Sequence, residues 1–130
     1  MRKALTDQIL AECSNVTYHG RRAGIRICFE CGDGWFNILL DLMRELNALE
    51  NVHVQAVKEK FGILRVYATG PDEVSKAVRK AEGRSCVICE QCGDSGQLVS
   101  NHGWLRVTCV AHGKPGDEPA NLEFNEVEET

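Results

Sequence analysis

The chain of 130 residues lacks any apolar run approaching the roughly 20 residues that a membrane-crossing helix requires. Its opening segment, MRKALTDQILAECSNV, has basic residues but neither an unbroken apolar centre nor a small-residue cleavage site. These absences predict an unexported protein with no membrane association. A strong basic excess is also missing: the net charge is −4, so composition alone does not call for nucleic acid held by counterion release. No glycine-rich phosphate loop, nucleophile elbow or paired-carboxylate pattern stands out, which leaves enzyme activity without positive support. Even the seven cysteines are an odd number, clustered as CxxC, and do not read as a disulfide framework. Reduced thiols, metal and a cytoplasmic setting are expected instead.

The charge is unevenly placed. Residues 114–130 hold six acids (Asp117, Glu118, Glu123, Glu126, Glu128 and Glu129) against Lys114, a net of −5, so residues 1–113 carry +1. This tail also contains two of the three prolines, and a mobile, solubilising end is expected of it.

Hydrophobic periodicity predicts one α+β unit. Leu5, Ile9, Leu10 and Cys13 make a short amphipathic helix over residues 3–14. Residues 24–30 alternate Ile25, Ile27 and Phe29 against Arg26, Cys28 and Glu30, as in a half-buried strand. After Gly32-Asp33-Gly34, with Asp33 as a candidate cap, Trp35, Phe36, Leu39, Leu42, Met43, Leu46 and Leu49 form the stripe of a core helix. Residues 51–70 divide at Lys60-Phe61-Gly62 into a β-hairpin, with Val52, Val54 and Ala56 on one strand and Leu64, Val66 and Ala68 on the other. Pro71 opens a further helix with Val74, Ala77, Val78 and Ala81 inward and Lys76, Arg79, Lys80 and Arg84 on a solvated face. The expected organisation is an α+β body over 1–84, a small metal-binding module over 85–113 packed on it, and an acidic tail over 114–130.

The chemistry concentrates in CEQCGDSGQLVSNHGWLRVTCVAHG, residues 89–113. Cys89 and Cys92 form one pair, Cys109 and His112 another, with 16 residues between them. Each pair can offer two donors from one tight turn, and two such turns complete the tetrahedron that zinc prefers. Gly93 suits the knuckle, and Leu98-Val99 and Trp104-Leu105-Arg106-Val107 flank a hairpin turn at Ser100-Asn101-His102-Gly103. This order matches a zinc ribbon or treble clef holding one structural Zn2+, because four protein ligands leave no place for a reacting water. Metal binding contributes on the order of 10 kcal/mol to such modules, enough to explain the site without catalysis.

Other residues compete less well. Cys86 lies three before Cys89 and is an alternative ligand, but Cys89-Glu90-Gln91-Cys92-Gly93 is the tighter knuckle. His102 belongs to a solvent-facing turn, and a nuclease of the HNH type would need further ligands beside it. Cys28 and Cys31 form a second CxxC to which Cys13 and His19 could be joined as a site, yet a strand points Cys28 and Cys31 to opposite faces. Free thiols are expected there.

Four blocks, ECGDGWFNILLDL (30–42), VKEKFGILRVYATG (57–70), CEQCGDSGQL (89–98) and GWLRVTCVAH (103–112), resemble in order and content a family of small uncharacterised proteins of bacteriophages and prophages. Ile63 departs from that pattern, where a glycine or small polar residue is frequent, and Cys13, Cys28 and Cys86 are not part of it. The resemblance implies the same ligands, Cys89, Cys92, Cys109 and His112, and a phage accessory protein inside a bacterial host cell. It implies no reaction.

Trp35 and Trp104 are expected to pack the metal hairpin against the body. Lys58, Lys60 and Arg65, with Phe61, project from the first hairpin. The leading expectation is a non-enzymatic, zinc-stabilised module for a protein partner. The alternatives are a nucleic-acid-binding regulator using Arg21, Arg22, Arg26, Lys58, Lys60 and Arg65, and a metal-dependent hydrolase or nuclease acting through His102.

Overall fold

The computed structural model of the protein describes residues 1–19 and 27–121. Within them the chain is mixed α+β, with three α-helices and two small sheets. Arg21, Arg22 and Arg26, the first part of the strand expected at 24–30, and residues 122–130 of the acidic tail lie outside the described residues.

Helix α1 (Lys3–Glu12) buries Ile9, and Cys13 follows it into the core. Strand β1 (Thr17–Tyr18) comes next, a pairing that a two-residue stretch did not announce. Strand β2 (Phe29–Glu30) keeps the expected alternation, with Ile27 and Phe29 buried and Cys28 and Glu30 exposed. Helix α2 (Phe36–Asn47) buries Ile38, Leu39, Leu40, Leu42, Met43 and Leu46 along one stripe. Each such fully buried side chain is worth roughly 1.5–3 kcal/mol, so this helix anchors the core.

Asp33 does not cap α2. A 3-10 turn, Asp33–Trp35, leads into the helix instead, and the Asp33 carboxylate accepts hydrogen bonds from the Arg2 backbone N–H at 2.8 Å and from Arg2 Nε at 2.6 Å. That carboxylate sits below its usual pKa because it receives the Arg2 amide and faces the Arg2 guanidinium.

Strands β3 (His53–Lys60) and β4 (Ile63–Thr69) form the antiparallel hairpin, closed by Phe61 at φ 53° and Gly62 at φ 86°. Two central residues with positive φ define the primed turn whose twist suits a hairpin. A register shift between Val54 and Ala56 alters the expected inward set. Val52, Val54 and Val57 are buried, whereas Ala56 pairs with Tyr67 on the outer face, because the bulge inserts one residue and inverts the alternation beyond it.

On the other side of β3, β1 and β2 lie in tandem, both parallel to it, with Thr17 opposite His53 and Phe29 opposite Val57. Parallel neighbours need a crossover, and α2 supplies the one from β2 to β3.

Helix α3 (Glu73–Ser85) packs against β4 and α2. Its buried Ser85 and Glu82 satisfy the outward backbone of the edge strand: Leu64 N–H donates to Ser85 Oγ at 3.0 Å and Val66 N–H to Glu82 Oε2 at 3.1 Å. Two of its four bases are engaged with α2, Lys80 with Glu45 at 2.9 Å and Arg84 with Asp41 at 3.0 Å, and so are not merely solvated. Exposed pairs of this kind contribute little stability singly.

The second sheet has the order β6-β5-β7, from β5 (Gln97–Asn101), β6 (Trp104–Thr108) and β7 (Glu118–Pro119). Strand β7 corrects the expectation of a tail that begins at residue 114: Ser100 pairs with Glu118 and Val99 with Pro119. The acidic segment's first part thus adds an edge strand to the hairpin. Asp117, adjoining it, accepts from Arg106 Nη1 at 2.6 Å and Asn101 Nδ2 at 2.9 Å.

Candidate metal centre

The four residues singled out by spacing come together. One ligand atom from each of Cys89, Cys92, Cys109 and His112 lies within 4.8 Å of the others, and among the described residues this is the one such Cys/His/Asp/Glu group. Cys92 Sγ is 3.6 Å from Cys109 Sγ, and Cys89 Sγ is 3.8 Å from His112 Nδ1. A tetrahedron with metal–sulfur bonds near 2.3 Å has sulfur–sulfur edges of about 3.8 Å, so the first of these distances fits a shared ion. Cys109 Sγ to His112 Nδ1 is a shorter edge at 3.1 Å. Nδ1 is the imidazole nitrogen turned to the sulfurs. The donor set can hold one metal ion, with every tetrahedral position filled by the chain.

Local folding explains the cluster. Cys89 and Cys92 stand on a knuckle where Gly93, at φ 86°, returns its N–H to the Cys89 carbonyl at 2.9 Å and Cys89 N–H reaches the Asp94 carbonyl at 2.7 Å. The second pair flanks β6: Cys109 directly follows the strand and His112 ends a 3-10 turn, Val110–His112. Desolvation pushes the Cys89 thiol up, but N–H groups of Cys109, Cys92 and Gln91 directed at its sulfur outweigh this and bring it to about 7. Cys92 accepts the Asp94 N–H, yet burial and its neighbouring thiols Cys109 and Cys89 push it up to about 11. Thiols packed this closely oppose each other's ionisation, and a dication removes that opposition.

The centre is held to the body by contacts that spacing alone did not reveal. Gly34 N–H donates to the Glu90 carbonyl at 2.7 Å, and Gly32 N–H donates to Glu90 Oε2 at 2.8 Å. Trp35 is buried and its Nε1–H donates to the Ile88 carbonyl at 2.9 Å. The GDGW segment is thus a cradle for the knuckle. Its signal in the sequence was the acid inside the CxxC and the glycines two apart, residues that a simple turn would not all require. Burial raises the Glu90 carboxyl, against the Gly32 N–H that lowers it. The hairpin turn also abuts the module, since a side chain at Gly62 would meet Leu98 and Arg106.

Arg106 and Asp117 form a second unforeseen element beside His112. Their guanidinium and carboxylate pair with side chains 18% and 10% exposed, and Arg106 Nη2 also donates to the His112 carbonyl at 3.4 Å. The Asp117 carboxyl is held well below its usual range by the Arg106 hydrogen bonds. This brace fixes the chain immediately after the last ligand.

The remaining candidates are elsewhere. Trp104 does not pack the hairpin on the body: it is 77% exposed, opposite Asn101 beside the turn that closes the β5–β6 hairpin. His102 is exposed at the same tip, with φ 51°, and is outside the donor cluster. Cys86 directs its sulfur to the Glu82 carbonyl at 3.7 Å rather than to the centre. Cys28 is exposed while Cys31 is buried, where desolvation pushes its thiol up to about 12, and Cys13 is buried under α1. His19 stacks near His53, with ring centres 5.6 Å apart.

No family model matches the chain, and no match to it was found among curated proteins or solved structures. No helix among the described residues is long and apolar enough to cross a membrane.

Proposed function

We propose that the protein is a non-enzymatic binding module, stapled by one structural zinc, that serves a bacteriophage or prophage as an accessory factor contacting a protein partner. The observation that carries this reading is the closed donor set of Cys89, Cys92, Cys109 and His112, locked against Gly32 and Gly34 of the body. Three sulfurs and an imidazole suit zinc, and four protein ligands suit a structural role. The succession of knuckle, β5–β6 hairpin and ligand pair on a 3-10 turn favours a ribbon over a treble clef, which takes its second pair from an α-helix.

Partner binding is supported by what the module leaves outside. Trp104 is 77% exposed, and tryptophan is among the side chains that anchor protein interfaces. The phage setting rests on the four sequence blocks alone.

Metal analysis of protein purified without added metal tests the first half. One zinc per chain is expected, lost in Cys89→Ser and Cys109→Ser and retained in Cys28→Ser. Two metals, or a loss in Cys28→Ser, would overturn the single-site reading. For the second half, zinc-loaded Trp104→Ala should lose a partner cross-linked to the wild type in infected cells, and an unchanged cross-link would rule out Trp104 as the anchor.

A further inference from the structure

The first sheet carries helices on the face where Val54, Val57, Leu64 and Val66 are buried; on its outer face Ile63 is buried beside the turn, while Tyr67 further along is exposed. The strand register assembles that outer face. Lys58 lies opposite Arg65, and Ala56 opposite Tyr67, while Lys60 continues the row towards the turn at Phe61. Tyr67 is 41% and Phe61 63% exposed. Each ring has a cation at its face: Lys58 Nζ is 5.3 Å from the Tyr67 centroid and Lys60 Nζ 5.6 Å from that of Phe61. Glu30, beside Lys58 in the register, is the one acid that the described strands place on this side.

We propose that this face binds single-stranded nucleic acid, with Tyr67 and Phe61 as surfaces for unpaired bases and Lys58, Lys60 and Arg65 as phosphate contacts. None of its residues belongs to the candidate metal ligands. Three cations on a chain whose first 113 residues carry only +1 make a local positive stripe, and a polyanion complements it. An acidic peptide would satisfy the charges but not the rings. Duplex DNA would do the same, because its bases are already stacked on each other. Alternating cations and exposed aromatics answer to a strand that presents phosphates and free base faces together. The row from Ala56 to Lys60 is roughly 14 Å long at the usual strand rise, so one extended strand can lie along it.

Fluorescence anisotropy of a labelled oligothymidylate of about 15 nucleotides with the zinc-loaded full chain tests the proposal. Binding is expected at low salt, with log affinity falling against log salt at a slope of about −2 for three phosphate contacts. Tyr67→Ala should weaken it roughly 5- to 150-fold while Tyr67→Phe retains it, as stacking predicts. Lys58→Gln should reduce the magnitude of the slope by about 0.7. Absence of binding at low salt by chains that retain zinc would overturn the proposal. So would equal affinity for a duplex of the same length, equal competition by polyglutamate, or indifference to both Tyr67→Ala and Lys58→Gln.

Discussion

Gly34 meets Cys89 so closely that a Cβ on Gly34 would stand 2.1 Å from the Cys89 carbonyl oxygen. The contact joins the entrance of α2 to the first of the four candidate ligands, and no side chain fits between them. Gly32 repeats the arrangement one step away, where a Cβ would be 2.3 Å from the Glu90 carbonyl oxygen. Because both neighbours are backbone, rotamer changes cannot relieve the clash and one segment must move. The metal centre and the core helix are therefore mechanically one assembly.

Gly34→Ala should accordingly destabilise the protein by about 1–3 kcal/mol or more, the usual cost of forcing extra volume into a packed contact. It should also quicken the transfer of zinc to a competing chelator, since the knuckle would lose its support. Gly83→Ala is the matched control, because a Cβ there meets nothing within 4 Å and α3 gains about 0.5–1 kcal/mol from replacing glycine. Chemical denaturation of the two variants should move in opposite directions. An equal and neutral outcome for both would mean that the cradle can open without loss.

The cradle also shows what could be read from the residues alone. Ligand spacing picked out the four residues that the fold clusters, and the apolar period of α2 located the core, because both patterns are local in sequence. Trp35 and Trp104 each follow a glycine, and nothing local distinguishes them. One is buried with its indole bonded to Ile88, and the other projects from the turn end of a hairpin. Val57 replaced Ala56 on the inner face because a single bulge residue reverses a period of two. Strands β1 and β7, of two residues each, have too little sequence to carry a period at all, and only their pairing with β3 and β5 defines them.

Strand β7 makes the stretch after His112 part of the module, and Asp117 is the residue that holds it. Its carboxylate binds both nitrogens of the Arg106 fork, the Asn101 amide and the Lys114 backbone N–H. Asp117→Ala should release β7 from β5 and leave the Arg106 guanidinium without its carboxylate partner. Amide hydrogen exchange at Ser100 and Ala120 should quicken, and the variant should surrender zinc to a chelator sooner than the wild type. Unchanged exchange at these residues would show that β7 is held by its backbone pairing alone.

A last relationship ties stability to pH. Glu82 turns its carboxylate into the space between α3 and β4, where burial raises its pKa against the opposing effects of the Val66 N–H and the Arg65 charge. A carboxyl whose pKa is higher folded than unfolded favours folding most when protonated, and that advantage fades as pH rises through the ordinary carboxylate range towards the folded value. Glu82→Gln removes the charge yet keeps an oxygen to accept the Val66 N–H. The variant should therefore be more stable than the wild type at neutral pH, with the gap closing as the solution is acidified below the usual carboxylate pKa. Paired urea titrations across that range would show the convergence. A variant less stable at neutral pH would mean instead that the charge-assisted bond to Val66 and the attraction of Arg65 outweigh desolvation, so that this buried acid supports the edge strand as a carboxylate.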